Sequence, residues 1–410
     1  METKLNNITV DTNSVPLQGL RVSSPLGAGG SLPYFIDTTL RDGEQAPGVV
    51  FRLAEKIQIA ALLDKAGVPE IEIGTPAISD NDLQDIRTLC SQGFKFKTLS
   101  WCRANKKDIV GAQKAGTNGV HISFPVSQKL MHLMHKDEKW IMTEMKQLID
   151  FATSKFEYVT IGAQDASRAE PNFLTEFVSA AANFGASRVR LADTVGMMNP
   201  LSTSEMISRI RKAETDLALE FHAHNDLGMA TANTIAAYLA GANCLSTTVN
   251  GLGERAGNAA MEEVALALEM STGVNTGLKT ELFYELCNYV SDISKQPISY
   301  NKPVTGKMVL SHESGIHTNC ILKDRSSYQL ISAAKIGRKE EDFVIGKHSG
   351  KATIIHYLKE SNLLFDDDFC SQLLYNVKEK AEKLKRSITK EEFLELYTGI
   401  YTNTLQFILR

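Results

Sequence analysis

Short apolar runs that end in polar residues alternate, from residue 34 to about 270, with longer stretches of helical pattern. The runs are Tyr34–Asp37, Glu70–Gly74, Thr98–Cys102, Val120–Phe124, Tyr158–Gly162, Arg188–Asp193, Leu219–His224 and Cys244–Asn250. Between them, Ala54–Ala66, Lys106–Ala115, Glu138–Ser154, Phe173–Phe184, Thr203–Ala213, Ala230–Ala240 and Ala259–Met270 read as helices. Several stop at a glycine (Gly67, Gly116, Gly185, Gly241), the residue that most readily closes a helix C-terminus. Eight strand–helix units predict a (β/α)8 TIM barrel over residues 33–273. A doubly wound open sheet is the alternative, but it calls for a different number of units.

Beyond residue 272 the pattern changes. Residues 281–294 read as a helix, Pro297 to Thr305 as a connector, and 369–400 as helical and charged on one face. Residues 274–410 are therefore expected to form a mainly helical appendage that contributes to subunit contact or covers the barrel. Residues 1–32 carry Glu2, Asp11 and a Gly/Ser/Pro-rich stretch from Ser23 to Pro33, with no apolar segment of a signal peptide. They predict a poorly ordered N-terminal extension.

Composition narrows the classes. A net charge of −4 gives no footprint for nucleic acid or an anionic membrane. No apolar run approaches the roughly 20 residues of a membrane span. Cys90, Cys102, Cys244, Cys287, Cys320 and Cys370 are scattered without a CxxC pair. That spacing predicts free thiols in a reducing cytoplasm, not a disulfide framework or zinc ribbon.

The chemistry gathers at strand ends. Period-two alternation puts His222 and His224 on one face of a strand. A burst of charge, Asp37-Thr-Thr-Leu-Arg-Asp-Gly-Glu-Gln45, follows the first strand. Asp42 with the two histidines makes a divalent-metal set, and Asn258 can add an amide oxygen. Read alone, the two histidines are equally a hydrogen-bonded pair. Arg41 either stabilises an oxyanion or forms a salt bridge with Glu72 or Glu44. The Gly251/Gly253/Gly257 loop can position Asn258 and line a site for an anion. No dinucleotide fingerprint follows the first strand, which argues against a nicotinamide cofactor. His312 and His317 are each a general base or an interface histidine. Met131, Met134, Met142 and Met145 read as packing, and Lys378 to Lys385 as a solvated helix face.

Four motifs in combination resemble the Claisen-condensing branch of the DRE-TIM metallolyases, the 2-isopropylmalate, citramalate and homocitrate synthases. They are Asp37-Thr-Thr-Leu-Arg-Asp-Gly-Glu-Gln45, His222-Ala-His-Asn-Asp-Leu-Gly228, Asn250-Gly-Leu-Gly-Glu-Arg-Ala-Gly-Asn258 and His312-Glu-Ser-Gly-Ile-His317. Within that branch the chain is most similar to the nitrogen-fixation type of homocitrate synthase. The segments that carry this are Ser100-Trp-Cys-Arg-Ala104, Ile122-Ser-Phe-Pro-Val-Ser127, Asp165-Ala-Ser-Arg-Ala169 and Gly346-Lys-His-Ser-Gly350. The chain also ends without the further domain of leucine-pathway synthases.

The resemblance implies condensation of acetyl-CoA with a 2-oxoacid, 2-oxoglutarate in the homocitrate case, and hydrolysis of the thioester. The sister substrates are 2-oxoisovalerate, pyruvate and oxaloacetate. It implies a divalent cation (Mn, Mg, Zn, Fe or Co) on Asp42, His222, His224 and Asn258. Arg41 would polarise the ketone, Thr194 hold the carboxylate, and Gln45 and Glu72 belong to the substrate site. His312, assisted by Tyr328, would be the base, reaching in from the partner of a domain-swapped homodimer. Arg103 and His121, both at strand ends, are the candidates for a distal carboxylate; lysine-pathway members place an arginine where this chain has Thr160, so their pocket does not transfer directly. Gln164 departs from the family's usual glutamate and cannot exchange a proton.

Overall fold

The computed structural model describes residues 32–408, with side chains to residue 402. The expected N-terminal extension lies outside the described residues, apart from Leu32. Eight parallel strands close into a barrel in sequence order. They are β1 (Tyr34–Asp37), β2 (Glu70–Gly74), β3 (Lys97–Arg103), β4 (Gly119–Pro125), β5 (Tyr158–Gln164), β6 (Arg188–Asp193), β7 (Ala218–Ala223) and β8 (Cys244–Thr247). Closure is direct, with Tyr34 opposite Cys244 and Asp37 opposite Thr247. The outer ring comprises α1 (Leu53–Ala66), α2 (Asp80–Cys90), α3 (Lys106–Ala115), α4 (Gln128–Leu133), α5 (Glu138–Ala152), α6 (Pro171–Asn183), α7 (Pro200–Ala213), α8 (Ala230–Leu239) and α9 (Met261–Ala267).

Two helices escape the sequence pattern. α2 has few apolar residues, with only Leu83, Ile86, Leu89 and Cys90 on its inner side, and its start is marked by Ser79, whose hydroxyl accepts from the Asp82 N–H. α4 is six residues long and is capped the same way by Ser127. β8 ends earlier than expected because Asn250 turns left-handed, at φ 61°. Gly67, Gly116, Gly185 and Gly241 do take positive φ at helix ends. Of the four methionines, Met134 is exposed instead of packed.

Alternation along the strands builds two interiors. Ile71 and Ile73, Val120 and Ile122, Val189 and Leu191, and Leu219 and Phe221 face the helices and form the apolar core. The intervening residues face into the barrel, and there the lining is charged. Arg188 pairs with Glu70 and Glu220, and Arg190 with Glu72 and Glu220. Arg41 also reaches Glu72. All but Arg41 are buried. Such charges are tolerated only when each has its partner.

Asp37 is a different case. It is fully buried at the end of β1, where it accepts from the backbone N–H and hydroxyl of Thr39. Burial outweighs these bonds and raises its carboxyl to about 7. A carboxyl that holds its proton more tightly when folded favours the folded state at low pH. That contribution is lost as pH rises from its unfolded value toward about 7. Asp37→Asn is therefore expected to gain stability relative to the parent between about pH 5 and 8, on the order of 2–4 kcal/mol. Urea unfolding of both proteins at the two pH values checks this, and a difference independent of pH contradicts it.

Beyond the barrel, α10 (Phe283–Ser294) packs against α1. An irregular segment then carries α11 (Gly315–Ile321). α12 (Lys351–Glu360), α13 (Asp367–Leu384) and α14 (Lys390–Ile408) follow. These helices enclose a second apolar core around Ile354, Leu373, Val377 and Phe393. The stretch expected as one helical run is two helices, broken where Lys385 turns to φ 52°. Among the described residues no helix is long and apolar enough to cross a membrane.

Candidate active site

A cavity of about 260 Å³ opens at the C-terminal mouth of the barrel. Its wall includes Arg41, Asp42 and Gln45 from the turn after β1, and His222 and His224 from β7 and its end. Gln164 and Thr194 stand at the ends of β5 and β6, and His121 lies on β4. Glu72 lies beneath, as the partner of Arg41 and Arg190.

Asp42, His222 and His224 are buried and hold their ligand atoms within 4.8 Å of one another. The two Nε2 atoms are 3.3 Å apart, and His222 Nε2 is 3.6 Å from an Asp42 oxygen. Two ligand atoms at about 2.1 Å from one ion lie about 3.0–3.4 Å apart at octahedral or tetrahedral angles, so the trio suits a cation. Protonation agrees. Burial, and then each other's charge, hold His222 well below its usual range, while Asp42 opposes; burial also lowers His224. Burial pushes Asp42 up, but Arg41, His222 and His224 outweigh it and bring its carboxyl down to about 2. The set is thus one carboxylate and two neutral imidazoles. His222 Nδ1 sits 2.9 Å from the Ser246 hydroxyl, which orients the ring.

Asn258 reaches the trio through an antiparallel bridge with His224. Its amide N–H donates to Asp42 Oδ2 at 2.7 Å and to the Leu252 carbonyl at 3.0 Å. Its Oδ1 is buried with no hydrogen-bond partner. Sequence spacing gives this residue an oxygen ligand's role; in the structure the amide nitrogen faces Asp42 and the oxygen is the orphan. Gly257, at φ 85°, lets the loop double back, and a Cβ there would run into the Gly251 carbonyl.

Arg41 forms the expected ion pair with Glu72 and a second with Asp42. Its Nε and Nη2 bond Glu72 and its Nη1 bonds Asp42, each at 2.7 Å. Hydrogen bonds through Nε and Nη1, with the ion-pair contact of Nη2, pin the guanidinium at the edge of the cavity. The Thr194 hydroxyl accepts from the Asp165 N–H at 2.9 Å, so its own proton is available to a ligand. Glu72 is driven up by burial, but Arg190 and Arg41 hold it below the usual carboxylate range. His121 is neutral, lowered by burial and then by Arg190, and its Nδ1 lies 2.8 Å from the Thr160 hydroxyl. Gly162 makes room for that ring, because a Cβ there would collide with His121 Nε2.

Arg103 is not brought into the cavity. Its guanidinium forms a two-pronged pair with Asp108 in the first turn of α3, and its side chain is 64% exposed. The acid three residues into a helix captures the arginine that the strand end alone would send to the mouth. Arg190, which does line the cavity, carries no motif. Its signal is Arg-x-Arg on β6, matched by Glu-x-Glu on β2.

His312, His317 and Tyr328 form a cluster of their own. The His312 and His317 rings are 6.3 Å apart, and His317 stacks on Tyr328 at 4.0 Å. None of the three lines the cavity of its own chain. Burial, and then His317, hold His312 below its usual range, which suits a proton acceptor.

A family model described as HMGL-like matches residues 32–290, and one described as homocitrate synthase post-HMGL domain-like matches residues 304–385. The chain is 40% identical to 2-isopropylmalate synthase 2 of Caldanaerobacter subterraneus, over 90% of this chain and 95% of that protein. It is also 40% identical to homocitrate synthase 1 of a Nostoc species, over 88% and 95%. Among solved structures, an HMG-CoA lyase from Bacillus subtilis aligns with a TM-score of 0.60 at 19% identity, covering 66% of this chain and 97% of that one, a likeness of fold.

Proposed function

The chain belongs to the HMGL-like family, within the branch that holds homocitrate and 2-isopropylmalate synthases, and from that premise we propose that it is a homocitrate synthase of the nitrogen-fixation type. It is an enzyme of the acyltransferase class. The reaction is condensation of acetyl-CoA with 2-oxoglutarate. The observation that carries this choice of oxoacid is the lining of the cavity. Arg41, Gln45, His121, Ser123, Gln164, Arg190 and Thr194 contribute polar groups, and among the described residues the lining has Trp101 but no Leu, Ile, Val or Phe to house an isopropyl group.

Asp42, His222 and His224, with Asn258 beside them, would hold a divalent cation. When bound, that cation supplies Lewis-acid polarisation of the ketone. The protein's own groups do the rest. Thr194 donates its hydroxyl to the carboxylate of the oxoacid. Arg41 donates to the ketone oxygen, which gains charge as C2 becomes tetrahedral. His312 from a second copy of the chain, beside Tyr328, takes a proton from the acetyl methyl. The methyl carbon then bonds to C2, the former ketone oxygen takes a proton, and water cleaves the thioester to release CoA. Gln164 orients substrate by hydrogen bonding. The base is absent from the wall of its own cavity, which supports a domain-swapped homodimer.

Thiol release from acetyl-CoA, with Mn or Mg and each of 2-oxoglutarate, 2-oxoisovalerate, pyruvate and oxaloacetate, tests the proposal. Release is expected with 2-oxoglutarate at a kcat/KM at least tenfold above the others. Faster release with 2-oxoisovalerate would make the chain a 2-isopropylmalate synthase instead. Arg103→Ala is expected to move this profile by less than about twofold, as for an exposed ion pair.

A further inference from the structure

Arg190 is buried under the cavity with its guanidinium incompletely used. Nε donates to Glu220 at 2.5 Å and Nη1 to Glu72 at 3.0 Å. Nη2 is buried and makes no hydrogen bond. Of the buried side-chain atoms on the residues lining this cavity, only Nη2 and His224 Nδ1 lack a partner among the described residues, and the latter belongs to the metal trio. A buried guanidinium N–H without an acceptor is unfavourable, and an incoming carboxylate oxygen would relieve it.

The strand places this group at the right end of a ligand. Arg190, Ala192 and Thr194 follow one another at period two, so they descend from the mouth into the barrel on one face. Thr194 is at the end assigned to the oxoacid's own carboxylate. Ala192 offers only a methyl group, which leaves space for a chain of methylenes. Arg190 lies below. His121 and Ser123 of β4 are the other polar groups on this part of the wall. Glu220 is held by Nε and Glu72 by Nη1, so a ligand carboxylate can bond Nη2 without displacing either hydrogen bond.

We propose that Arg190 Nη2 is the group that reads the distal carboxylate of the 2-oxoacid, and so the specificity-determining residue of this site. The inference rests on the 2-oxoglutarate reading above and deepens it. Its test compares 2-oxoglutarate with 2-oxopentanoate, which ends in a methyl group, by kcat and KM in the parent and in Arg190→Lys. Lysine keeps the positive charge between Glu72 and Glu220 but has no second prong. The parent is expected to prefer 2-oxoglutarate by at least 100-fold. In the variant KM for 2-oxoglutarate is expected to rise on the order of 10- to 100-fold, the worth of one charged hydrogen bond, and the preference to collapse accordingly. A merely structural role would lower both substrates in step and leave the preference intact, which would overturn the inference. A parental preference below tenfold overturns it too, even if the variant does not fold. A parent that turns over apolar oxoacids and not 2-oxoglutarate overturns the underlying reading itself.

Discussion

His222→Ala and His224→Ala are each expected to lower kcat/KM by on the order of 10³-fold or more and to abolish stoichiometric retention of a divalent metal. Polarisation of a carbonyl by a bound cation contributes several kcal/mol, and each factor of ten in rate is about 1.4 kcal/mol. The two rings supply that contribution together. They meet Nε2 to Nε2 at 3.3 Å, both neutral, with Asp42 ionised beside them. Removing one leaves two protein ligands and a gap that water fills. Ser246→Ala is expected to act less severely, weakening metal affinity by about 10- to 100-fold, because Ser246 orients His222 without being a ligand. Metal content after gel filtration, and activity before and after chelation and re-addition, measure both effects. Full activity in metal-free protein would refute the assignment of the trio.

Glu72→Leu carries the other large effect, on stability. Glu72 is fully buried and accepts from the Thr38 hydroxyl, from Arg190 and from Arg41. Leucine fills much of the volume but leaves two guanidinium groups short of their counter-ion. Breaking a buried pair by removing one partner costs about 3–5 kcal/mol. The variant should lose stability of that order in denaturant unfolding. Glu72→Gln, which keeps the shape and some of the hydrogen bonding, should lose less. The activity of Glu72→Leu should fall as well, because Arg41 loses two of the three bonds that pin it. A variant as stable as the parent would mean that the interior charges tolerate solvent, and the network would have to be weaker than its distances imply.

The barrel is legible in the sequence because every strand alternates or runs apolar and several helices end at glycine. All eight expected strands form, and the register of His222 and His224 follows from period two alone. What periodicity misses depends on partners. α2, low in apolar content, and the six-residue α4 are declared by their serine caps. Arg103 stands at a strand end like the residues of the mouth, yet Asp108, five residues on, takes its guanidinium. Arg190 sits in a run that reads as ordinary strand, and its importance emerges only when Glu72 is brought across the barrel from 118 residues away and Glu220 is set beside it on β7, 30 residues on. Local pattern specifies which face a residue takes. Which neighbour it meets there is set by closure.

The vacancy at Gly162 shapes how this pocket can change. The His121 ring occupies the space that any side chain at position 162 would need. The two positions therefore cannot drift independently. A lineage that enlarges residue 162 first meets a collision, while one that first shrinks residue 121 passes through a roomier, less selective enzyme. Exchange of substrate preference across this wall is thus a path with a preferred order of steps, and a library that varies one position at a time would not find its end.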